Sequence, residues 1–239
     1  MEHAIVLKPE ILGYFKFLPI TNTLLVSWIT MLVLIVVSIL ATRKVQLIPS
    51  GLQSLFEIVL DFGYTTVSDL AGEKKTAVFF PVVMTFFLFI LVANWIGLLP
   101  GFATITFDKE PLLRSMNSDL NMTLALALTS AFLTHAFAIR YLGFLGYLSK
   151  WFSLNPIFLF VGILEIVSEL TKIVSLSFRL FGNIFAGEVV LSTVSSIFAF
   201  LAPLPFYFLE IIVGFVQAAV FMMLTLVFMV LLSEKHEAG

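Results

Sequence analysis

The chain has 239 residues, of which 60% are hydrophobic and 12% are charged, and its formal net charge is −2. Soluble domains carry about 25% charged residues, so this composition indicates an integral membrane protein and gives no support for nucleic-acid binding. The sequence contains no cysteine, which excludes disulfides, thiolate chemistry and cysteine-ligated metals. Because lipid cannot satisfy open backbone groups and the apolar runs are long and continuous, we predict membrane-spanning helices and not a β-barrel.

The elements follow in chain order as one membrane domain over residues 1–239. Residues 1–20 are mixed in character and predict an outer N-terminal segment. They lack the basic region and cleavage site of a signal peptide, so we expect the next apolar run to remain as an anchor. Spans are predicted at residues 24–41, 78–99 and 120–141, close to the about 20 residues that cross a bilayer core. A polar outer loop is predicted at residues 100–119.

Residues 50–72 show a different pattern, with apolar side chains at helical spacing and an acidic opposite face that includes Glu57 and Asp61. This pattern is typical of an amphipathic helix on the membrane surface or against the bundle. The acidic face argues against binding to anionic lipid and favours packing on a partner protein.

The last two helices are predicted at residues 156–195 and 206–232, since no proline occurs between Pro156 and Pro203. A helix of about 40 residues is about 60 Å long, twice the about 30 Å hydrocarbon core. The first of them is therefore either steeply tilted or broken near Gly182 or Gly187. The predicted fold is an all-α integral membrane protein with about five membrane-embedded helices, the last two long and steeply tilted, and one amphipathic surface helix.

The basic residues outside the spans predict the orientation, because cytoplasmic loops carry an excess of Lys and Arg. The larger set falls on one side of the predicted spans, which places the N-terminus outside and the C-terminus in the cytoplasm. The cytoplasmic set is Arg43, Lys44, Lys74, Lys75, Arg140, Lys150 and Lys235, and the outer set is Lys8, Lys16, Lys109 and Arg114.

Residues 163–190 are apolar enough to lie in a membrane, yet they carry several ionisable groups. These are Glu165, Glu169, Lys172, Arg179 and Glu188. One arginine at a helix centre costs about 2.5–3.5 kcal/mol on insertion scales. A single charge has many explanations, whereas a cluster at this depth indicates a path for ions or protons.

Helical geometry divides these groups into two sets. At about 100° per residue, one polar stripe is formed by Arg179, Asn183, Ser175, Lys172 and Glu165. Glu169 lies at the edge of this stripe, and Glu188 lies on the opposite face. On the last helix, Glu210 and Gln217 are seven residues apart and share a face.

Structural roles compete with this interpretation. Lys172 can be neutralised by either Glu169 or Glu165 in an ordinary helical ion pair. Buried amides and imidazoles in membrane bundles often join helices by hydrogen bonds, and this alternative applies to Asn94, Asn121 and His135.

Arg179 has its own structural alternative, a salt bridge to Glu188 or Glu210. The half-turn offset on the helix argues against the bridge to Glu188. For the two carboxylates, Glu188 and Glu210, the alternative is a structural hydrogen-bonding role.

The stretch SLSFRLFGNIFAGEVV is similar to the signature of subunit a, the membrane stator of F-type ATP synthases, of the bacterial type. The family pattern has Arg-Leu-x-x-Asn followed by a Glu, and Arg179, Asn183 and Glu188 match it. FVQAAVFMMLT resembles the second family signature, with Gln217 at its polar position. PSGLQSLFE, NWIGLLPG and SDLNMTLALAL extend the resemblance over about residues 45–233. Some bacterial members have His where this chain has Glu210.

The resemblance implies a rotating ring of c subunits as partner, together with b-type peripheral stalk subunits, the rest of the F1Fo complex and membrane lipid. It implies a multi-pass protein of the bacterial plasma membrane that has no cofactor or metal and catalyses no reaction by itself. Ions would pass through two offset half-channels, with Arg179 between them. The outer one would use Glu188, Glu210, Gln217, Asn183 and Asp119, and candidates for the inner one are Ser175, Lys172, Glu169 and Glu165.

A self-contained ion-coupled transporter is the alternative, because transporters also use intramembrane charges. Such proteins usually place a substrate site between internal repeats, and the sequence has no convincing repeat. A purely structural scaffold does not explain the charged stripe. Three histidines, His3, His135 and His236, are too few and too scattered for a redox subunit with paired haem ligands. Whether H⁺ or Na⁺ is the coupling ion is left open.

Overall fold

The computed structural model describes residues 9–16, 18–43, 45–48, 51–99, 106–107, 110–151, 156–197 and 201–234. Within these ranges most of the chain is helical. The helices are α1 (Asn22–Thr42), α2 (Leu52–Ala71), α3 (Glu73–Gly97), α4 (Leu120–Trp151), α5 (Pro156–Ile197) and α6 (Pro203–Leu232). Four of them, α1, α3, α4 and α6, contain apolar stretches long enough to cross a membrane. The predicted all-α membrane class is thus confirmed.

Two short hairpins and one 3-10 turn lie together at one end of the bundle, which we call the hairpin end. β1 (Ile11–Phe15) pairs with β2 (Leu18–Thr21), and β3 (Thr106–Phe107) pairs with β4 (Glu110–Pro111). The 3-10 turn spans Met116–Ser118 and precedes α4. The sequence predicts only an outer segment and a polar loop here, because such short strands leave no periodic pattern.

Hydrogen bonds between distant helices establish their directions. Lys75, in the first turn of α3, donates to the carbonyl of Ser233 after α6 (3.4 Å), whereas Asn94 near the end of α3 donates to the carbonyl of Gly214 (3.0 Å). Helices α3 and α6 are therefore antiparallel. The hydroxyls of Thr123 in α4 and Ser177 in α5 are 3.1 Å apart. As a result, the second half of α5 and the first half of α6 both reach the hairpin end.

Helix α3 lies at the centre of the bundle, and its apolar residues are buried on several sides. Phe79 and Ile90 of α3 are fully buried in one cluster with Leu180 of α5 and Phe221 of α6. A helix that is apolar all round is typical of such a central position. Helix α1, in contrast, leaves most of its apolar surface exposed, as expected of a helix that faces lipid.

The observed helix ends differ from the predicted ones where local signals compete. Helix α3 starts at Glu73 and not at residue 78, so Lys75 lies within its first turn. Helix α4 continues beyond residue 141 to Trp151, but Gly143 interrupts it with φ 75° and ψ 159°, a conformation that favours glycine. Helix α6 starts at Pro203, since proline is well tolerated in a first turn, where its missing N–H is not needed.

Helix α5 runs without interruption for 42 residues. The predicted alternative of a break near Gly182 or Gly187 is wrong, since both glycines are helical in the structure. At about 1.5 Å per residue this helix is about 60 Å long, twice the thickness of a bilayer core of about 30 Å. Only the tilted alternative then keeps its apolar ends near the membrane.

Candidate ion path along helices α5 and α6

Arg179 lies on an exposed face of α5, the one that carries the predicted polar stripe. Its exposed neighbours on this face include Ser175 and Asn183. Within the described ranges, no hydrogen bond or ion pair is recorded for the guanidinium, so neither Glu188 nor Glu210 bridges to it. A charged group in this position inside a membrane requires a compensating partner. The described part of the chain supplies no such partner for Arg179.

A groove of about 450 Å³ runs along α5 from Arg179 past Ser175 to Lys172, and Leu224 and Phe228 of α6 form part of its opposite wall. The polar stripe that the sequence predicts thus lines one continuous groove over these positions. Its end at Lys172 lies on the side of Arg179 that is remote from the hairpin end.

Lys172 and Glu169 form an ion pair with 2.6 Å between Nζ and Oε1. Of the two pairings that the sequence leaves open, this is the one that the structure contains. Glu169 is buried, and the Lys172 ammonium also lies 4.7 Å from the centre of the Phe228 ring. A cation over an aromatic face gains further electrostatic stabilisation. Lys172 is therefore neutralised within the chain, and Glu165 lies half-buried one turn further from Arg179.

Asn183 joins α5 to α6 one turn beyond Arg179. Its Nδ2 donates to Oε1 of Gln217 at 2.6 Å, and Gln217 is only 3% exposed. Two residues that the sequence assigns to one site from separate signatures are thus in direct contact. They connect the exposed face of Arg179 with the interior of the bundle.

Glu188 lies on the inward side of α5 and meets Glu210 and the segment before α4. The charges of Glu210 and Arg114 act on its carboxylate, and the Ser118 side chain lies within hydrogen-bonding reach of it. The Glu210 carboxylate packs directly over Gly187, where the Cβ of any other residue would overlap with it. The structure thus brings the predicted carboxylate pair together.

Asp119 is only 3% exposed and forms the N-cap of α4. Its carboxylate accepts bonds from the backbone N–H of Asn121 (2.9 Å), from the Asn121 side-chain amide (3.1 Å) and from the Thr23 hydroxyl (2.9 Å). The side chain thus anchors α4 to α1, and its predicted place in the outer half-channel stays a prediction. Asn121 itself bonds within its own helix turn and not to another helix.

The other predicted polar contacts differ in kind. Asn94 bonds to the carbonyl of Gly214 and also accepts a bond from Asn117 at 2.6 Å, so it joins α3, α6 and the 3-10 turn. His135 shares a 3.1 Å hydrogen bond with the Tyr147 hydroxyl of the same helix, across the Gly143 kink. Asn94 thus connects separate elements, whereas His135 connects the two parts of α4.

Arg114 and Ser118 are the site neighbours for which the sequence predicts no role. They belong to an irregular segment, where no helical period indicates which side chains turn inward. The one available signal is a polar run, RSMNSD, directly before an apolar span. Across the described ranges, no three His, Asp or Glu side chains converge in a way that could hold a metal ion.

A bundle of apolar helices that carries ionisable groups on facing helices defines an integral membrane protein with charged groups inside its bundle. Comparison with known sequences identifies it further, since residues 24–230 match the ATP synthase A chain family. The chain belongs to this family, the membrane subunit a of ATP synthase. Relatives named ATP synthase subunit a occur in several bacteria. The relative in Moorella thermoacetica is 37% identical over 219 residues, which cover 92% of this chain and 94% of the relative.

Two further relatives of the same name give a similar result. The one in Gloeobacter violaceus is 37% identical over 217 residues, covering 90% of this chain and 85% of its own. The one in Trichlorobacter lovleyi is 35% identical over 211 residues, covering 87% of this chain and 85% of its own. The similarity thus extends over nearly the whole chain and includes both helices of the site.

Proposed function

We propose that this chain is the stator subunit that carries two offset half-paths for the coupling ion in the Fo sector. The observation that carries the proposal is the opposite placement of two groups on one helix. Arg179 is exposed without a recorded partner in the described residues, while Glu188 turns inward toward Glu210. The exposed face would contact the ring of c subunits, and the groups on the inward face would deliver the coupling ion to that ring.

Arginine suits the position between two half-paths for a physical reason. Its guanidinium stays protonated under all physiological conditions, so it cannot pass a proton across the gap. It can instead attract an ionised carboxylate on each ring subunit that passes. Ions then reach the other side only by travelling with the ring, and each elementary charge that crosses about 100 mV releases about 2.3 kcal/mol.

The half-path toward the hairpin end would run past Glu188, Glu210, Gln217 and Asn183. Asp119 would support its entrance as the buried cap of α4, and would not itself relay ions. The other half-path would follow the groove from Arg179 through Ser175 to Lys172 and its partner Glu169, with Glu165 beyond. The tilt that the length of α5 requires would let one helix serve both half-paths.

The remaining expectations belong to this proposal. The subunit would catalyse no reaction itself and would work with the c ring, b-type peripheral stalk subunits and the rest of the F1Fo complex. It would lie in a bacterial plasma membrane with the hairpin end outside and the C-terminus in the cytoplasm.

The test replaces Arg179 in the assembled complex, reconstituted into vesicles. Arg179→Ala should abolish ATP synthesis driven by an imposed ion gradient and should permit passive ion leak through the membrane sector, since nothing then separates the half-paths. Arg140→Ala removes an exposed arginine from α4 and is the matched control, with synthesis expected to stay near the unaltered level. Normal synthesis in the Arg179→Ala complex would refute the proposal.

A further inference from the structure

We infer that Arg114, in the segment between β4 and α4, is a positioning residue that holds the Glu188 carboxylate together with Ser118. The inference rests on the proposed role of Glu188 in the half-path at the hairpin end. It adds an arginine outside the helices of the path, one that would act on the carboxylate without carrying the ion.

The segment that carries Arg114 is held firmly against the bundle. Asn117 donates to Asn94 of α3 (2.6 Å), and Asp119 accepts from Thr23 of α1 (2.9 Å). Asn22 of α1 donates to the carbonyl of Pro111 (3.3 Å). These bonds come from both ends of the segment, so the backbone around Arg114 has a defined position over the end of the bundle.

Gly97 at the end of α3 allows the segment that carries Arg114 to pack closely against this helix. A Cβ built on Gly97 would lie 2.9 Å from both Cβ and Oγ of Ser115, closer than such atoms ordinarily approach. Ser115 to Asp119 are all buried. The segment is thus part of the packed bundle and is not an open surface loop.

Arg114 reaches Glu188 both through space and through Ser118. Its Nε donates to the Ser118 hydroxyl at 3.2 Å. The single proton of this hydroxyl has two acceptors within reach, the carbonyl of Ser115 at 2.9 Å and the carboxylate of Glu188. Ser118 is 0% exposed, and it faces the Glu188 carboxylate within hydrogen-bonding reach. Within the described part of the chain, the carboxylate of Glu210 also acts on Glu188, beside the positive charge of Arg114.

Two neighbouring carboxylates repel each other when both are ionised, which would drive their side chains apart. A guanidinium beside one of them counters this repulsion and gives that carboxylate a preferred orientation. Because arginine does not release its proton, it contributes orientation alone. Glu188 is thus held on the side of Arg114, and Glu210 lies over Gly187 on the side of α6.

The test is a double-mutant cycle in the complete complex, reconstituted into vesicles, with gradient-driven ATP synthesis as the readout. Arg114→Gln should lower the rate about fivefold, Arg114→Lys should restore most of it, and Arg114→Gln should add little further loss when Glu188→Gln is already present. Coupling of this kind is expected between residues that act on one another. Lys16→Gln removes an exposed cation from the hairpin end and serves as the control.

Independent losses from Arg114→Gln and Glu188→Gln, or no recovery with Arg114→Lys, would overturn the inference and leave the proposed function intact. If Glu188→Gln itself synthesised at the unaltered rate, the half-path would be wrong and the inference would fall with it. Where Arg114→Gln complexes do not assemble, Ser118→Ala takes its place in the cycle. Its loss must likewise disappear in the Glu188→Gln background.

Discussion

Lys172 and Arg179 are two cations on one helix, seven residues apart, and they differ in burial and in ion pairing. Lys172 is half-buried and paired with Glu169 at 2.6 Å, with an aromatic ring beneath its ammonium. Arg179 is exposed, and none of the described residues is recorded as its partner. A charge that is neutralised inside the chain needs no further partner, whereas one that is left open at membrane depth indicates a partner outside it.

The largest effect expected from this comparison comes from Arg179→Lys. An ammonium can lose its proton when it is desolvated, and it lacks the planar fork that a carboxylate matches, so lysine should not replace arginine here. We expect synthesis to fall by more than about tenfold, since the two side chains are not equivalent at bidentate sites. Synthesis by the reconstituted complex measures this. A fully active Arg179→Lys complex would show that any cation suffices at this position.

Gly187→Ala should have the next largest effect, because the new Cβ would overlap with the Glu210 carboxylate. Glu210 would have to leave its place beside Glu188, so we expect a strong loss of synthesis in complexes that still assemble. Gly182→Ala is the matched control on the same helix, since no atom of the described chain lies within 4 Å of its built Cβ. Equal effects of both substitutions would show that helix α5 requires glycine for another reason.

Lys172→Met tests the paired side of the comparison through stability. It leaves Glu169 as an unpaired charge in a buried place and should lower the free energy of unfolding by about 3 kcal/mol. Adding Glu169→Met should restore most of the loss, because a buried pair can be replaced by apolar residues. Thermal unfolding in detergent gives both values. If the double variant were as unstable as the single one, Lys172 would have a task beyond neutralising Glu169.

The smallest effect is expected at the contact that helps to set the rotation of α5 about its own axis. The Ser177 hydroxyl meets Thr123 of α4 on the side of the helix away from Arg179. Ser177→Ala should cost about 0.6 kcal/mol of stability, the average for a hydrogen bond between membrane helices, and synthesis should change by less than a factor of about two. Thr123→Ala should match it, and both together should cost no more than either one. Thermal unfolding checks this, and additive losses would exclude a shared bond.

The helices and the two faces of α5 follow from the sequence because their causes are local. Continuous apolar runs predict the spans, and a period of about 3.6 residues separates Arg179 from Glu188 without any tertiary information. For the same reason the sequence limits the ion-pair partners of Lys172 to Glu169 and Glu165, since all three residues lie on one helix. Asn183 and Gln217 belong to the two stretches that resemble family signatures. Their contact follows once the helices that carry these stretches, α5 and α6, face each other.

The segment before α4 could not be predicted in this way. Its hydrogen bonds run to α1 and α3, which lie far away in the sequence, and an irregular backbone has no period that separates inward from outward side chains. The sequence therefore does not show that Asp119 caps α4 and is buried. Arg114 looked like an outer-loop cation for the same reason, and its proximity to Glu188 appears only in three dimensions.

The unbroken course of α5 has a mechanical consequence. Arg179 and Glu188 are nine residues apart on one continuous helix, so at about 1.5 Å per residue their axial separation is about 13 Å. A glycine hinge between them would make this distance compliant, and a force applied at Arg179 would then bend the helix. A continuous helix instead resists bending and keeps this distance constant. A force applied to the exposed face at Arg179 is therefore transmitted along α5 to the part of the helix that packs against the bundle at the hairpin end.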